Sequence, residues 1–395
     1  MTSGRPTAIV LTLLWPWPGN SGGRIRAAAI VNALKSDHDV TVLAADHTES
    51  GFRTWDAAVA RTLGRRASRS ARVRDIAEGA LLGDHTAARR AVNAGLDKAF
   101  GEALDDVRPS VVVLGPPYFG PFIAHARRVG AGVVLDPNER LSRVARANAR
   151  ARRMPLPTRL RALLEAWTLN RMERRAYPRA DVIWVASERE RENFNGIVPL
   201  ERVKFVPNPI SRLGEVSADG AIRAVAFVGW YGHAPNEAAA LELITEVMPA
   251  IRRAGGPQRL IVIGREPTPA MRASADSQVD TQITGEVPDA LAVLAEAGLL
   301  VLPIRSGGGT RIKVLEAASI GVPIVSTHVG VEGLELEPGR HFLVAETPQQ
   351  FADAVLTLVG DAALRSHLVA EARLLVEARY SPEAVLAAVR ANLPR

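Results

Sequence analysis

Short, mostly apolar runs recur along this chain, separated by longer segments with helical spacing. Residues 8–12, 40–43, 111–114, 133–135, 182–185 and 203–206 read as strands, and residues 24–34 read as a helix between the first two. These runs are apolar on both faces rather than alternating. Such strands belong in a parallel sheet covered on both sides by crossover helices. The alternation restarts at residues 224–228 and continues through 261–263, 299–301 and 324–326. Between the two series lies Pro207-Asn208-Pro209-Ile210-Ser211-Arg212-Leu213-Gly214, a turn-rich linker with two prolines and a glycine. The pattern predicts two doubly wound α/β domains, residues 1–210 and 211–380. In such sheets ligands sit outside the carboxyl ends of the strands. That rule singles out the loop at 19–23, the segment at 136–139 and the loop at 307–309.

The stretch at 297–333, AGLLVLPIRSGGGTRIKVLEAASIGVPIVSTHVGVEG, carries the clearest chemistry. An apolar strand runs into Gly307, Gly308, Gly309 and Thr310, and a helix carrying Arg311, Lys313 and Glu316 follows. A glycine-rich loop that opens a helix is an anion site, because free N–H groups and the helix dipole both favour negative charge. Arginine grips a phosphate through two parallel hydrogen bonds, and lysine acts as a point charge. Lys313 is one of only four lysines among 49 basic residues, which makes its position conspicuous. Glu316 follows three residues later on the same helical face. Two cations suit a diphosphate, and one carboxylate suits a hydroxyl-bearing group. A nucleotide-sugar site needs both. Two exposed helix residues are the bland alternative, and the company of three glycines and Glu316 favours the phosphate role.

Five segments fall in register with a known pattern. They are Phe227-Val228-Gly229, Ala234-Pro235-Asn236, Ile261-Val262-Ile263-Gly264-Arg265, Thr284-Gly285-Glu286-Val287-Pro288-Asp289 and Gly307-Gly308-Gly309-Thr310-Arg311-Ile312-Lys313-Val314-Leu315-Glu316-Ala317. Together they resemble the donor-domain motifs of the family 4 retaining glycosyltransferases, which have the GT-B fold. The resemblance is strong over residues 225–380 and weaker over 1–210. It implies two Rossmann-like domains facing across a cleft, the first for the acceptor and the second for the nucleotide-sugar donor. It also implies that the last helix, near 381–395, returns to the first domain.

The resemblance assigns roles residue by residue. Gly307, Gly308, Gly309 and Thr310 would cradle the diphosphate, and Arg311 and Lys313 would stabilise it as it departs. Glu316 would accept hydrogen bonds from ribose hydroxyls, and Gly285 and Val287 would line the base. Gly229 belongs to the turn that opens the donor domain. Gly22 and Gly23 would let backbone approach the donor sugar or diphosphate, with a tight turn as the alternative. Arg265 reaches the cleft or caps a helix. His233 faces the diphosphate or serves packing. Asp136 and Asn138 would place polar groups at the cleft edge, with a helix N-cap as the equal alternative for Asp136. Two positions depart from the family. Gly308 stands where the first of two spaced glutamates is usual, and Pro137 or Asn138 stands where many relatives have a histidine. The first departure leaves backbone N–H groups of residues 307–310 to replace a carboxylate. The second argues against a mechanism that needs histidine. It leaves room for front-side displacement, in which the leaving diphosphate helps remove the acceptor proton.

Composition narrows this further. A chain of 395 residues, 47% hydrophobic, fits two cores better than one. No apolar run approaches the ~18–20 residues of a membrane span. The apolar start at 8–11 is interrupted by Trp15-Pro16-Trp17-Pro18 and reads as a strand rather than a signal peptide. The absence of cysteine excludes disulfides, thiolate zinc sites and cysteine nucleophiles, and fits a cytoplasmic location. No aspartate-rich metal motif is evident, so neither a metal nor a cofactor beyond the co-substrate is expected. The net charge of +7 is concentrated early, with nine arginines and four acids in 51–90 and twelve arginines and two acids in 140–180. Few aromatics lie between these arginines, so no nucleic-acid partner is expected. Solvated arginine-rich helices are the preferred reading. An anionic acceptor or peripheral contact with the inner face of a membrane stays open. The amphipathic stretch at 159–167, RLRALLEAW, either touches such a membrane or covers the core.

The expected activity is metal-independent retaining transfer of a hexosyl group from a UDP- or GDP-linked sugar. The acceptor would be a hydroxyl of a small molecule, glycan or lipid-linked carrier. Two alternatives stand beside it. One is an inactive GT-B paralogue acting as a binding or partner subunit, and the other is a nucleotide-sugar epimerase on the same fold.

Overall fold

The computed structural model of the chain describes residues 4–17, 22–46, 96–138, 140–149, 156–210, 221–307 and 311–394. The residues at 19–21, 51–90, 139, 211–214 and 308–310 that the sequence pattern singled out lie outside the described residues. Contacts divide the chain into two units, Met1–Asn208 with Val385–Arg395, and Pro209–Ala384.

In the first unit the apolar runs form β1 (Thr7–Leu14), β2 (Asp39–Asp46), β3 (Val111–Leu114), β4 (Gly132–Asn138), β5 (Val182–Val185) and β6 (Val203–Phe205). They make one parallel sheet in the order β2-β1-β3-β4-β5-β6. Successive side chains point to opposite faces, so each strand divides its residues between two core layers. Ile9, Leu11, Val112, Leu114, Val133 and Leu135 pack into one layer. Ala8, Val10, Val111, Val113 and Val134 pack into the other, with Ile30, Val31 and Leu34 of the helix Gly22–Lys35. Val385 and Val389 of the last helix, Pro382–Ala391, join this second layer. Trp184 is wholly buried there, and its indole N–H donates to the Asn392 carbonyl at 3.1 Å.

The second unit contains β7 (Val225–Val228), β8 (Leu260–Ile263), β9 (Thr281–Gly285), β10 (Leu300–Leu302), β11 (Ile324–Ser326) and β12 (Leu343–Val344). They too form one parallel sheet, in the order β12-β11-β10-β7-β8-β9. The chain builds outward from β7 in one direction, then returns to β7 and builds outward through β10 in the other. The carboxyl ends of β7 and β10 therefore flank the point where strand order reverses, the place where doubly wound sheets bind ligands.

The structure revises several local expectations. Gly22 and Gly23 open the helix Gly22–Lys35 instead of lying in the preceding loop. β4 runs on through Asn138, so Asp136 is a strand residue and not a helix N-cap. The helix after the glycine loop is Ile312–Ser319, with Arg311 as its N-cap and Lys313 in its first turn. Val314, Leu315, Ala317 and Ala318 bury the inner face of that helix almost completely. Burying one such large side chain contributes about 1.5–3 kcal/mol, so the direction in which the first turn points is held by the core.

Candidate functional site

Three neighbouring strands of the second unit end in glycine-lined turns. Gly229 follows β7 and donates its N–H to the Ile263 carbonyl at 2.9 Å. Gly264 follows β8 and donates to the Gly285 carbonyl at 3.0 Å, and Gly285 ends β9. Gly264 has φ +135, and a Cβ there would stand 1.8 Å from the Gly229 carbonyl oxygen. No other residue type fits, so the two turns touch backbone to backbone. Gly285, at φ +70, would meet no atom within 4 Å with a Cβ and presents open backbone. Val287, two residues on, is half-buried.

Cations gather beside the first of these turns. The Lys313 ammonium donates to Asn236 Oδ1 at 2.9 Å and lies 4.6 Å from the centre of the Phe227 ring. It also stands 3.4 Å from the position a Cβ on Gly229 would occupy. Arg311 is 6% exposed, and its guanidinium donates to the Gly307 carbonyl at 2.8 Å. Gly307, at φ +105, packs where a Cβ would be 3.0 Å from Pro235 Cγ. His233 is the N-cap of the helix Ala234–Glu242, which Pro235 and Asn236 begin.

Electrostatics tie these groups together. Burial, followed by the repulsion of Arg311, brings the Lys313 ammonium down to about 7, against a smaller opposing pull from Glu316. The His233 imidazole is also held below its usual range, first by burial and then by Arg311 and Lys313. The Lys313 ammonium thus donates to the oxygen of a neutral amide. Arg305, which also follows β10, is instead held by Glu242 at 2.6 Å and by Glu346 at 2.9 Å. The Arg305 charge is thus balanced by two carboxylates.

Arg265, after β8, is half-buried, and its guanidinium lies 5.1 Å over the ring of Trp230, which is 45% exposed. The Asn236 amide donates to the Trp230 carbonyl at 2.9 Å, which links that ring to the Lys313 neighbourhood. Asn236, Phe227 and Trp230 had no assigned site role from sequence. The Pro-Asn helix start was the only signal pointing to Asn236, and it lies 77 positions from its lysine partner.

The residues singled out in the first unit have different surroundings. Asp136 is 7% exposed and paired with Arg26, whose Nε and Nη2 donate to the carboxylate at 2.9 and 2.6 Å. Arg26 Nη1 also donates to the Val206 carbonyl at 2.7 Å and to Asn208 Oδ1 at 2.9 Å. The helix Gly22–Lys35, β4 and the segment after β6 are thereby bound by one guanidinium. The Asn138 side chain lies outside the described part of the structure. Gly22 and Gly23 are exposed, and a Cβ at Gly23 would meet nothing within 4 Å. A second buried acid, Glu173, accepts from Arg140, the Ser142 hydroxyl and the Ser142 N–H. Among the described residues, no group of three or more histidines and acids is placed to hold a metal ion, and no helix is long and apolar enough to cross a membrane.

Two family models match the chain. Residues 21–209 match a glycosyl transferase 4-like domain, and residues 223–361 match glycosyl transferases group 1. No curated protein sequence matches it. Among solved structures, HepE of Anabaena in complex with UDP aligns with a TM-score of 0.64 at 12% identity, covering 98% of this chain and 98% of that one. Sucrose-phosphate synthase of Thermosynechococcus elongatus aligns at 0.68 and 16% identity, covering 96% of each chain. The lipopolysaccharide outer core galactosyltransferase WaaB aligns at 0.63 and 13%, covering 98% and 99%. At these identities the likeness is one of fold, a GT-B arrangement of two α/β units.

Proposed function

We propose that this chain, whose two parts match glycosyltransferase family models and whose fold is GT-B, transfers a sugar from a nucleoside diphosphate sugar to a hydroxyl with retention at the anomeric carbon. The observation that carries this reading is the cluster of Lys313, Arg311 and His233 at the reversal point between β7 and β10. A desolvated lysine that Arg311 repels more strongly than Glu316 attracts is stabilised by an added anion. A diphosphate supplies that anion. The turns after β7, β8 and β9 run outward from this cluster in order. The two strand spacings from β7 to β9 span about 10 Å, a reach that suits an extended nucleoside diphosphate passing from Lys313 toward Gly285 and Val287. HepE, which shares the fold, is in complex with UDP, which supports a nucleotide ligand.

In the proposed reaction the anomeric C–O bond to the diphosphate breaks, and the acceptor oxygen bonds to the same face of the sugar. The acceptor proton passes to the leaving diphosphate oxygen. Lys313, Arg311 and the N–H groups around Gly307 stabilise the charge that develops on that diphosphate. Glu316 takes the ribose hydroxyls, since a carboxylate accepts only. Donor sugars with uridine or guanosine both remain substrates to test, and the acceptor hydroxyl is to be found by assay.

The test is a panel of nucleotide sugars screened by thermal shift. The best binder is then incubated without acceptor while hydrolysis is followed by NMR. Slow release of the α-configured sugar from an α-linked donor is the expected result. Binding without any release from any donor would replace this reading with that of an inactive binding paralogue.

A further inference from the structure

We propose that the outward face of the helix Leu156–Ala176 docks on a membrane surface rich in anionic lipid. This helix has two apolar faces. Ala166, Leu169, Met172 and Ala176 point inward and are 2%, 3%, 3% and 4% exposed. On the opposite side stand Leu156, Leu160, Leu163, Leu164 and Trp167, exposed to 67%, 58%, 41%, 61% and 55%. At 3.6 residues per turn these five fall within one stripe about 100° wide, facing away from the core. Large apolar residues scattered singly over a surface are ordinary, whereas a contiguous set marks an interaction site.

The charges around the stripe indicate what covers it. Arg159 and Arg161 flank it, Arg171 and Arg174 continue it, and all four are exposed. The Arg171 guanidinium lies 5.7 Å over the Trp167 ring. The two acids of the helix are elsewhere. Glu173 is buried with Arg140 and Ser142, and Glu165 falls on the opposite side of the helical wheel. An apolar stripe rimmed by one sign of charge suits the boundary of an anionic bilayer. Leucines and tryptophan enter among the acyl chains and headgroups, while the guanidinium groups reach lipid phosphate. A second copy of the same face would set arginines against arginines. The proposal needs no donor and stands independently of the transfer reaction.

The experiment is co-sedimentation of the full chain with vesicles of phosphatidylcholine alone, or of phosphatidylcholine mixed equally with phosphatidylglycerol. Binding to the mixed vesicles, weakened by salt, is the expected result. Replacing Leu160, Leu164 and Trp167 together by Gln should lower the partition coefficient by about 100-fold or more, from the lost apolar burial. The pair Arg159→Gln and Arg161→Gln should lower it by about 30-fold, as expected for two basic groups near an anionic surface. All these side chains are exposed, so the melting temperature should not change. Brominated lipid should quench a fluorescence component that Trp167→Phe removes, which reports the contact even if the triple variant misfolds. The proposal is overturned if the chain ignores mixed vesicles, binds both kinds equally, or binds regardless of these changes. It is equally overturned if the stripe instead holds a lipid-free dimer that the triple variant dissolves.

Discussion

Each unit places arginine near the carboxyl ends of a parallel sheet, and the two units treat that charge in opposite ways. In the first, Arg26 is 1% exposed and donates to fixed oxygens of the Asp136 carboxylate, the Val206 carbonyl and the Asn208 amide. In the second, Arg311 and Lys313 repel each other, and the lysine leans on a neutral amide and an aromatic face. A neutralised cation holds elements together. Cations crowded at a desolvated position, where the repulsion of Arg311 outweighs the pull of Glu316, keep electrostatic free energy that a ligand can release. The contrast lies in the partners, since both clusters use the same residue type in the same kind of sheet.

The largest effect should come from breaking the saturated pair. Arg26→Met leaves the Asp136 carboxylate buried without its cation, which should destabilise the first unit by about 3–5 kcal/mol. Urea unfolding followed at Trp184 would measure it. An unchanged midpoint would mean that the pair holds nothing together.

Next in size is the open cluster. Lys313→Ala and Arg311→Ala should each weaken nucleoside diphosphate binding by about 1.5–3 kcal/mol, the range for a hydrogen bond to a charged group. Calorimetric titration would read this. The melting temperature should hold, in contrast to Arg26→Met. Unchanged affinity in both variants would remove the phosphate assignment.

The third test uses pH. Burial and Arg311 bring the folded lysine down to about 7, against 10.5 for a solvated lysine, so the unfolded chain binds more protons between those values. Stability from this group therefore rises as pH climbs from about 7 toward 10.5, and the penalty is fully present below 7. A diphosphate favours the charged lysine, so donor binding above pH 7 should take up a proton and weaken as pH rises. Proton uptake, measured by calorimetry in buffers of different ionisation enthalpy, should vanish in Lys313→Met. Uptake that persists in that variant would assign the proton to another group.

The smallest effect is expected from Glu316→Gln, which keeps the shape and halves the acceptor capacity. Donor affinity should fall by about 0.5–1.5 kcal/mol with little change in melting temperature. The reverse outcome, a lower melting temperature at constant affinity, would make Glu316 structural.

The sequence by itself determined the fold class. Short apolar runs such as 111–114 and 260–263, rich in β-branched residues and too short for helices, read as parallel strands buried on both faces, and their spacing leaves room for crossover helices. It also marked where chemistry was to be sought, because glycines and cations after an apolar run are local signals, as at Gly307, Arg311 and Lys313. Tertiary structure alone decided which distant groups meet. Asp136 was readable as polar and strand-adjacent, but its partner Arg26 is 110 positions away. Nothing near either residue records that distance. Asn236 under Lys313, Arg265 over Trp230 and the contact between Gly264 and Gly229 were hidden for the same reason. The helix at 156–176 shows the limit most plainly. Its leucines and arginines are legible in order, yet both its faces are apolar, and only packing selects which one the core covers. Periodicity gives the angle between side chains on one element, whereas the partner of each face is set by elements far along the chain.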